Sequence, residues 1–515
     1  METQPALSPS ELVPLSHSVY FLAALAVFVH FLFNSKYGYF RDELYYAACG
    51  EHLAWGYVDH APLVALASRI SRGLFGDSLF ALRLLPALSA APKVWLASWM
   101  AREVGAARFA QFFAALLVFL APIYLTFDNF LSMNAFEPVF WMACAAIVLR
   151  ILNGGSPRLW ILFGIVAGIG ILNKHSMLFF GSGIALGLLL TPARKQFART
   201  EIWVGLAIAF LIFLPNLLWE IRNGFPTIAL LHKVIGTKYS TVSPLAYIGE
   251  QFLLVNPMAA PLWLAGLYFF LFDREGRKYS VLGFAYLAVL LEMIVLHGKI
   301  YYLAPAYIML LASGAVWWER KIFLRSGVWL KPAVLAPIIL SGMIAAPLAM
   351  PILPVASAVK YCAFFGVQDV KVENVPLNSL PQLFGDMFGW QQQVQAMARV
   401  VHSLPAHEQS SVTLLAYNYG EAGAIDYFGK HYGLPKAISG HNQYGAWGPR
   451  GASGDSVVAI GFTWERLNRA FSEVTAFETI SPQYALPEES GLTIYICRQP
   501  RKSLASSWNE WTYLD

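Results

Sequence analysis

The chain carries one long apolar run after another, each close to the roughly 20 residues that cross a bilayer as a helix. The first extends from about Val19 to Phe33. Others centre near Leu88, Leu117, Met142, Gly164, Ile184, Ile208, Leu267, Leu287, Leu310 and Leu340. After about Pro354, charges, Gly and Gln return, and no later run is long enough to span. Backbone groups in lipid must satisfy one another, so such runs fold as helices. The sequence therefore predicts a mainly α, polytopic membrane protein with about eleven transmembrane helices. Composition agrees: 13% of residues are charged, against about 25% in ordinary soluble domains. A single globular core stops growing near about 250–300 residues, and so cannot hide the 57% of this chain that is hydrophobic. A soluble enzyme, a disordered protein and a nucleic-acid partner are excluded on these grounds.

The first run has no basic segment before it and no small-residue cleavage site after it, so it reads as a retained span. Lys and Arg sort the connections. Arg102 and Arg108, Arg150 and Arg158, Arg194 to Arg199, Arg274 to Lys278, and Arg320 to Lys331 fall on alternate loops. These are read as cytoplasmic. The remaining connections are then outer, and they hold the unusual polar residues. Two of them are long, 34–77 and 220–256. The second is read as covering a groove on the outer surface; its Lys233 and Lys238 would attract anionic lipid or, the favoured reading, are solvated loop charges.

The first outer loop is read as structured and partly interfacial. Arg41-Asp42-Glu43 opens a short helix, where carboxylates suit the N-terminus. A second helix, from Pro62 to Phe75, places Leu63, Leu66, Ala67, Ile70 and Leu74 on one face and Arg69 and Arg72 on the other. That pattern fits a helix in the headgroup layer. Between them lies Tyr57-Val-Asp59-His60-Ala-Pro62-Leu, rich in titratable groups. Taken alone, these acids are better explained by helix capping and turn formation than by chemistry.

Asp-Glu directly after the first span, followed by a Tyr-x-acid-basic-x-Pro-Leu turn, resembles glycosyltransferase family 39. That family includes protein O-mannosyltransferases and, more distantly, aminoarabinose lipid A transferases. Thr126-Phe-Asp128-Asn129, Asn134-Ala-Phe-Glu137-Pro, Leu172-Asn-Lys174-His175-Ser and His297-Gly-Lys299-Ile-Tyr301-Tyr302 resemble its later outer-loop motifs. Asn418-Tyr-Gly420-Glu421 and Ser439-Gly-His441-Asn442 also resemble bacterial members. The resemblance implies a GT-C fold in the bacterial inner membrane, with the active site and C-terminal domain outside the cytoplasm. It implies transfer of a sugar from a polyprenyl-phosphate donor to a lipid, glycan or protein acceptor. In the aminoarabinose branch a Lys stands where this chain has His60.

By that resemblance Asp42 is the general base, with Glu43 holding the loop or orienting the acceptor. An acceptor hydroxyl is a weak nucleophile and needs a positioned carboxylate. The departing phosphate needs fixed cations; Lys174, Lys299 and His60 are the candidates. Asp59, Asp128, His175 and Tyr301 complete the expected donor or substrate contacts, and Glu137 is expected to pair with His175 or support its loop. Lys174 and Lys299 also suit snorkelling at span ends, Asp128 suits a helix cap, and Tyr301 suits an interfacial aromatic belt. No cofactor and no metal site is expected, although a divalent cation is left open. The rival readings are a lipid-linked sugar flippase and a non-catalytic GT-C-like scaffold.

The expected division is a transmembrane domain, 1–354, that includes the first outer loop, 34–78, and a soluble extracytoplasmic α/β domain, 355–515. Within the latter, strands are expected at Val412–Tyr417, Val457–Gly461 and Leu492–Cys497. Helices are expected at Tyr419–His431 and Arg466–Val474. Cys362 and Cys497 are a possible disulfide pair if that domain lies outside the cytoplasm.

Overall fold

The computed structural model describes residues 13–234, 243–326, 329–371, 373 and 375–515. Each of the eleven apolar centres falls inside a helix, from His17–Phe33 to Leu330–Ala349. Length is where the expectation and the structure differ. Among the described residues, six helices are long and apolar enough to cross a membrane, or eight if each of two bent pairs is one span. Several apolar helices are shorter, such as Arg108–Phe119 and Leu159–Asn173. Leu206, Leu211, Leu340 and Met343 expose 60, 62, 60 and 63% of their surfaces. Large apolar side chains in contiguous exposed patches are rare on proteins surrounded by water, and lipid is the solvent that suits them.

The chain forms two compact units. Among the described residues, the first comprises residues 13–34, Phe80–Trp219 and 243–352. It is helical and contains the main apolar core. Its helices approach closely through small residues, which lets backbones touch without a hydrophobic driving force. A Cβ on Gly314 would lie 2.0 Å from the Leu262 carbonyl oxygen, so the Ala260–Leu271 and Tyr307–Trp318 helices tolerate only glycine there.

The second unit comprises Ser35–Leu79, residues 220–234 and Leu353–Asp515. The first outer loop thus packs with the C-terminal segment, whereas the division at residue 354 groups it with the helices. Lys238 lies outside the described residues. The unit is built on a five-stranded sheet of β1 (Thr413–Ala416), β2 (Ala437–Ser439), β3 (Ser456–Ile460), β4 (Phe471–Ile480) and β5 (Leu492–Pro500), in the order β2-β1-β3-β5-β4. β1 pairs parallel with β2 and β3, and β5 pairs antiparallel with β3 and β4. β1 and β3 are wholly buried, as interior strands of such a layer must be.

The expected helix Arg466–Val474 is corrected. Helix Trp464–Ala470 stops at Phe471, where β4 begins. The expected helix Tyr419–His431 ends at Phe428 and tightens into a 3-10 turn, Gly429–Tyr432. Cys362 and Cys497 are free and buried, so the possible disulfide is not formed. The Leu63–Phe75 helix leaves Leu66, Ile70 and Leu74 exposed, while Arg72 turns back to Glu51 and Asp77 at 3.1 and 2.6 Å.

Candidate active site

In the second unit, the Arg41–Glu51 helix starts because Glu43 folds back on it. The Glu43 carboxylate accepts from the Phe40 amide at 2.8 Å, satisfying a donor that a helix start leaves over. Glu43 is wholly buried, which makes it a cap. Asp42, one residue earlier, points the other way and keeps 30% of its side chain exposed. Tyr419 donates its hydroxyl to Asp42 Oδ1 at 2.9 Å. Tyr419 opens the Tyr419–Phe428 helix, whose amino end is capped reciprocally by Asn418 and Glu421. The two helices cross closely. A Cβ on Gly423 would lie 2.9–3.1 Å from the Leu44–Tyr45 backbone.

Arg41 gathers four carboxylates. Its guanidinium lies 3.1 Å from Glu488, 3.2 Å from Glu373, 3.7 Å from Asp386 and 4.0 Å from Asp42. Burial alone would make this cation easier to deprotonate; the carboxylates, Asp386 first, instead hold it well above the ordinary arginine range. Asp386 pays the opposite way. It is 1% exposed and neither oxygen has a hydrogen-bond partner. Burial pushes its carboxyl up to about 7 against the pull of Arg41, and Asp42, Glu373 and Glu488 add to the rise.

The Tyr57–Pro62 turn is pinned from below. The Tyr57 hydroxyl lies 3.0 and 3.1 Å from the Cys49 and His52 carbonyls, and the Val58 amide donates to Gln443 at 3.0 Å. Asp59 accepts from the Tyr45 hydroxyl at 2.7 Å and from Asn442 at 3.2 Å. His60 is 4% exposed and stacked on Tyr57, with Tyr45 and Tyr46 edge-on. Its Nδ1 faces the Ala61 carbonyl at 2.9 Å and therefore carries the proton. His60 thus packs against three tyrosines of the second unit. Asp42 and Asp59 are linked, because the rings of Tyr419 and Tyr45 stack at 4.6 Å.

The remaining expected residues lie in the first unit. Lys174 follows the Leu159–Asn173 helix and pairs with Glu137 and Asn134, both at 2.8 Å. Its ammonium also sits over the rings of Tyr302 and Tyr301, at 4.4 and 5.7 Å. Lys174 and Tyr301 are thus brought together. Glu137 takes Lys174 and Ser176 as partners. His175 turns instead to Asn216 at 2.9 Å, so the expected Glu137–His175 pair is not formed. Lys299 precedes the 3-10 turn Ile300–Ala306, and its carbonyl accepts from Tyr247 at 3.4 Å.

Asp128 is buried and ion-paired with Lys93, while Ser89 donates to the same carboxylate at 2.9 Å. Lys93 was not among the expected residues. It sits in the interior of the Leu84–Glu103 helix, where a lone lysine in an apolar run signals a buried partner. Tyr45, Tyr419 and Asp386 were also missed, and no short-range pattern singles them out. Among the described residues, no group of three His, Cys, Asp or Glu is placed to hold a metal ion.

This architecture recurs among solved structures. ArnT from Cupriavidus metallidurans bound to undecaprenyl phosphate matches with a TM-score of 0.64 at 14% identity, over 93% of this chain and 97% of that one. Residues 59–219 match the family model described as dolichyl-phosphate-mannose-protein mannosyltransferase. The chain has the GT-C fold of this ArnT, and residues 59–219 are similar to that mannosyltransferase family. The family match takes in Asp59, His60, Asp128, Lys174 and His175, and leaves Asp42, Glu43, Lys299 and Tyr301 outside it. Over 237 residues this GT-C chain is 26% identical to the lipid A galacturonosyltransferase RgtD of Rhizobium johnstonii, covering 44% of the chain and 48% of RgtD. The match therefore spans about half the length of that curated relative. The Archaeoglobus fulgidus oligosaccharyltransferase, in a complex with Zn and sulfate, matches with a TM-score of 0.53 at 12% identity, over 86% of this chain and 68% of that one.

Proposed function

We propose that the protein is a glycosyltransferase that moves a sugar from a polyprenyl-phosphate donor to a hydroxyl-bearing acceptor on the outer face of the bacterial inner membrane. The observation that carries this reading is Asp42. It is a partly exposed carboxylate at a helix start, with a tyrosine hydroxyl on one oxygen. In the reaction the acceptor oxygen bonds to the anomeric carbon and the bond from that carbon to the phosphate oxygen breaks. The acceptor proton passes to Asp42, and the electron pair leaves with the polyprenyl phosphate. A single displacement of this kind inverts the anomeric centre. Lys174 and Lys299 would carry the charge that develops on the phosphate. Glu43 and Asp59 would act through structure, the first by capping the helix and the second by anchoring the loop through Tyr45 and Asn442.

Undecaprenyl phosphate, the lipid named with ArnT, and lipid A, the acceptor named with RgtD, are the first probes to use. Purified protein in nanodiscs would be mixed with lipid A and a panel of radiolabelled undecaprenyl-phosphate sugars, uronic acid and neutral hexose included. The expected result is labelled lipid A with wild type and none with Asp42→Asn. Equal labelling by both proteins would overturn the assignment of Asp42. Absence of transfer with every donor, alongside passage of labelled lipid across a liposome bilayer, would replace the transferase by a flippase.

A further inference from the structure

We infer that Tyr419 is a positioning residue for Asp42, whose hydroxyl sets the orientation of that carboxylate and its affinity for a proton during transfer. This rests on the reading of Asp42 as the base.

The geometry makes the tyrosine a fixed donor. Its ring is 7% exposed and packed against two aromatic neighbours, Tyr45 at 4.6 Å and His441 at 4.6 Å. Tyr45 cannot drift, because its own hydroxyl is held by Asp59 at 2.7 Å. His441 is stacked in turn on Tyr513 at 4.6 Å. The position of the Tyr419 oxygen therefore follows from the stack, and the carboxylate adjusts to it. Burial raises the phenol well above its ordinary range, with Asp42, Glu373 and Asp59 adding to the rise and Arg41 opposing it. The hydroxyl thus stays protonated wherever the enzyme works. Arg41 also brings Asp386 and Glu488 to the Asp42 side of the cluster.

A neutral donor on a carboxylate favours its ionised form, which is the form a base must hold at working pH. The hydrogen bond also fixes rotation about the Asp42 side chain, and a base must be aimed before it is basic. A tyrosine serving packing alone would be replaced by Phe without kinetic effect, since the ring and its stack survive.

The test uses the full-length protein in nanodiscs, with the undecaprenyl-phosphate sugar and lipid A pair that wild type turns over. Tyr419→Phe should lower kcat by about tenfold while KM changes little, as loss of one hydrogen bond to a charged group implies. The acid limb of the kcat–pH profile should move up by about one unit, because an unsupported carboxylate binds its proton more tightly. Wild-type kcat and an unmoved acid limb would overturn the inference. Replacing Tyr419 by 3-fluorotyrosine keeps the ring and makes a stronger donor, so the acid limb should move to lower pH; an unmoved limb would again overturn it, whatever the folding of the Phe variant. Asp42→Asn is the control for the underlying reading. Transfer by that variant refutes the base, whereas an inert Asp42→Asn beside a kinetically normal Tyr419→Phe refutes the positioning role alone.

Discussion

Two aspartates of this protein meet a cation and a hydroxyl, and they do so in opposite settings. Asp128 lies inside the helical unit, 2% exposed, with Lys93 at 1% and Ser89 beside it. Asp42 lies in the other unit, 30% exposed, with Tyr419 as its donor and Arg41 shared among three further acids. In the first case the ion pair is closed and each charge is spent on the other. In the second the carboxylate is aimed but still open to a substrate. The same chemical groups therefore make a closed, buried pair in one region and an open, partly exposed one in the other. What separates them is the burial of the acid itself and whether its cation is shared with other acids.

The comparison breaks most clearly at its open end. Asp42→Asn should reduce transfer by at least about 100-fold without shifting the melting temperature by more than a few degrees. An unstable Asp42→Asn protein would make Asp42 a structural acid. The closed pair should behave in reverse. Lys93→Met leaves a buried carboxylate without its cation, at a cost of about 3–5 kcal/mol, read as lost folded yield in detergent. Lys93→Met combined with Asp128→Leu should recover most of it, because an apolar pair of similar volume fits the bundle.

Asp386 sharpens the contrast through pH. Its carboxyl is raised by burial from the usual 3.8 to about 7, so the folded state holds a proton that the unfolded state releases. The stability this confers is complete below about 4 and is lost as pH rises through about 7. Between pH 5 and 8 the melting temperature of wild type should fall relative to that of Asp386→Asn, whose amide does not titrate. Parallel curves for the two proteins would show that Asp386 is ionised throughout. The smallest effect is expected at Glu43. Glu43→Gln weakens the cap of the Arg41–Glu51 helix by about 1 kcal/mol, seen in thermal melting, and should leave the acid limb of the pH profile in place.

Much of the helical unit was legible because lipid imposes a simple rule on sequence. Each apolar centre, from the first run to Leu340, lies in a helix. Helix length was less legible, since Pro and Gly between runs shorten or bend a helix without changing hydropathy, as at the 110° break between Met177–Leu190 and Pro192–Ala198. In the sheet, the buried strands β1, β3 and β5 were visible as short apolar runs. β4 was read as part of a helix because it is an edge strand, exposed along most of its length, with Glu473 and Glu478 in it. Charges that keep such an edge from pairing with other chains also erase its alternation. At the candidate site, Asp42 and Lys174 stand out through the family resemblance rather than through local pattern. Tyr419 and Asp386 reach the Arg41–Glu51 helix from hundreds of residues away, and the tyrosines packed around His60 are assembled only by the fold.

The bond between Tyr419 and Asp42 joins positions 377 residues apart. Ribosomes add about 5–20 residues per second. The Arg41–Glu51 helix must therefore wait on the order of 20–75 seconds during synthesis before the segment carrying Tyr419 exists. For that interval the nascent chain holds its first acidic helix without the surface it will pack on, including the glycine at 423 that admits it. Completion of the carboxylate's setting is thus a late event in biogenesis, and a chain stalled before residue 419 would lack the hydroxyl that Asp42 accepts from.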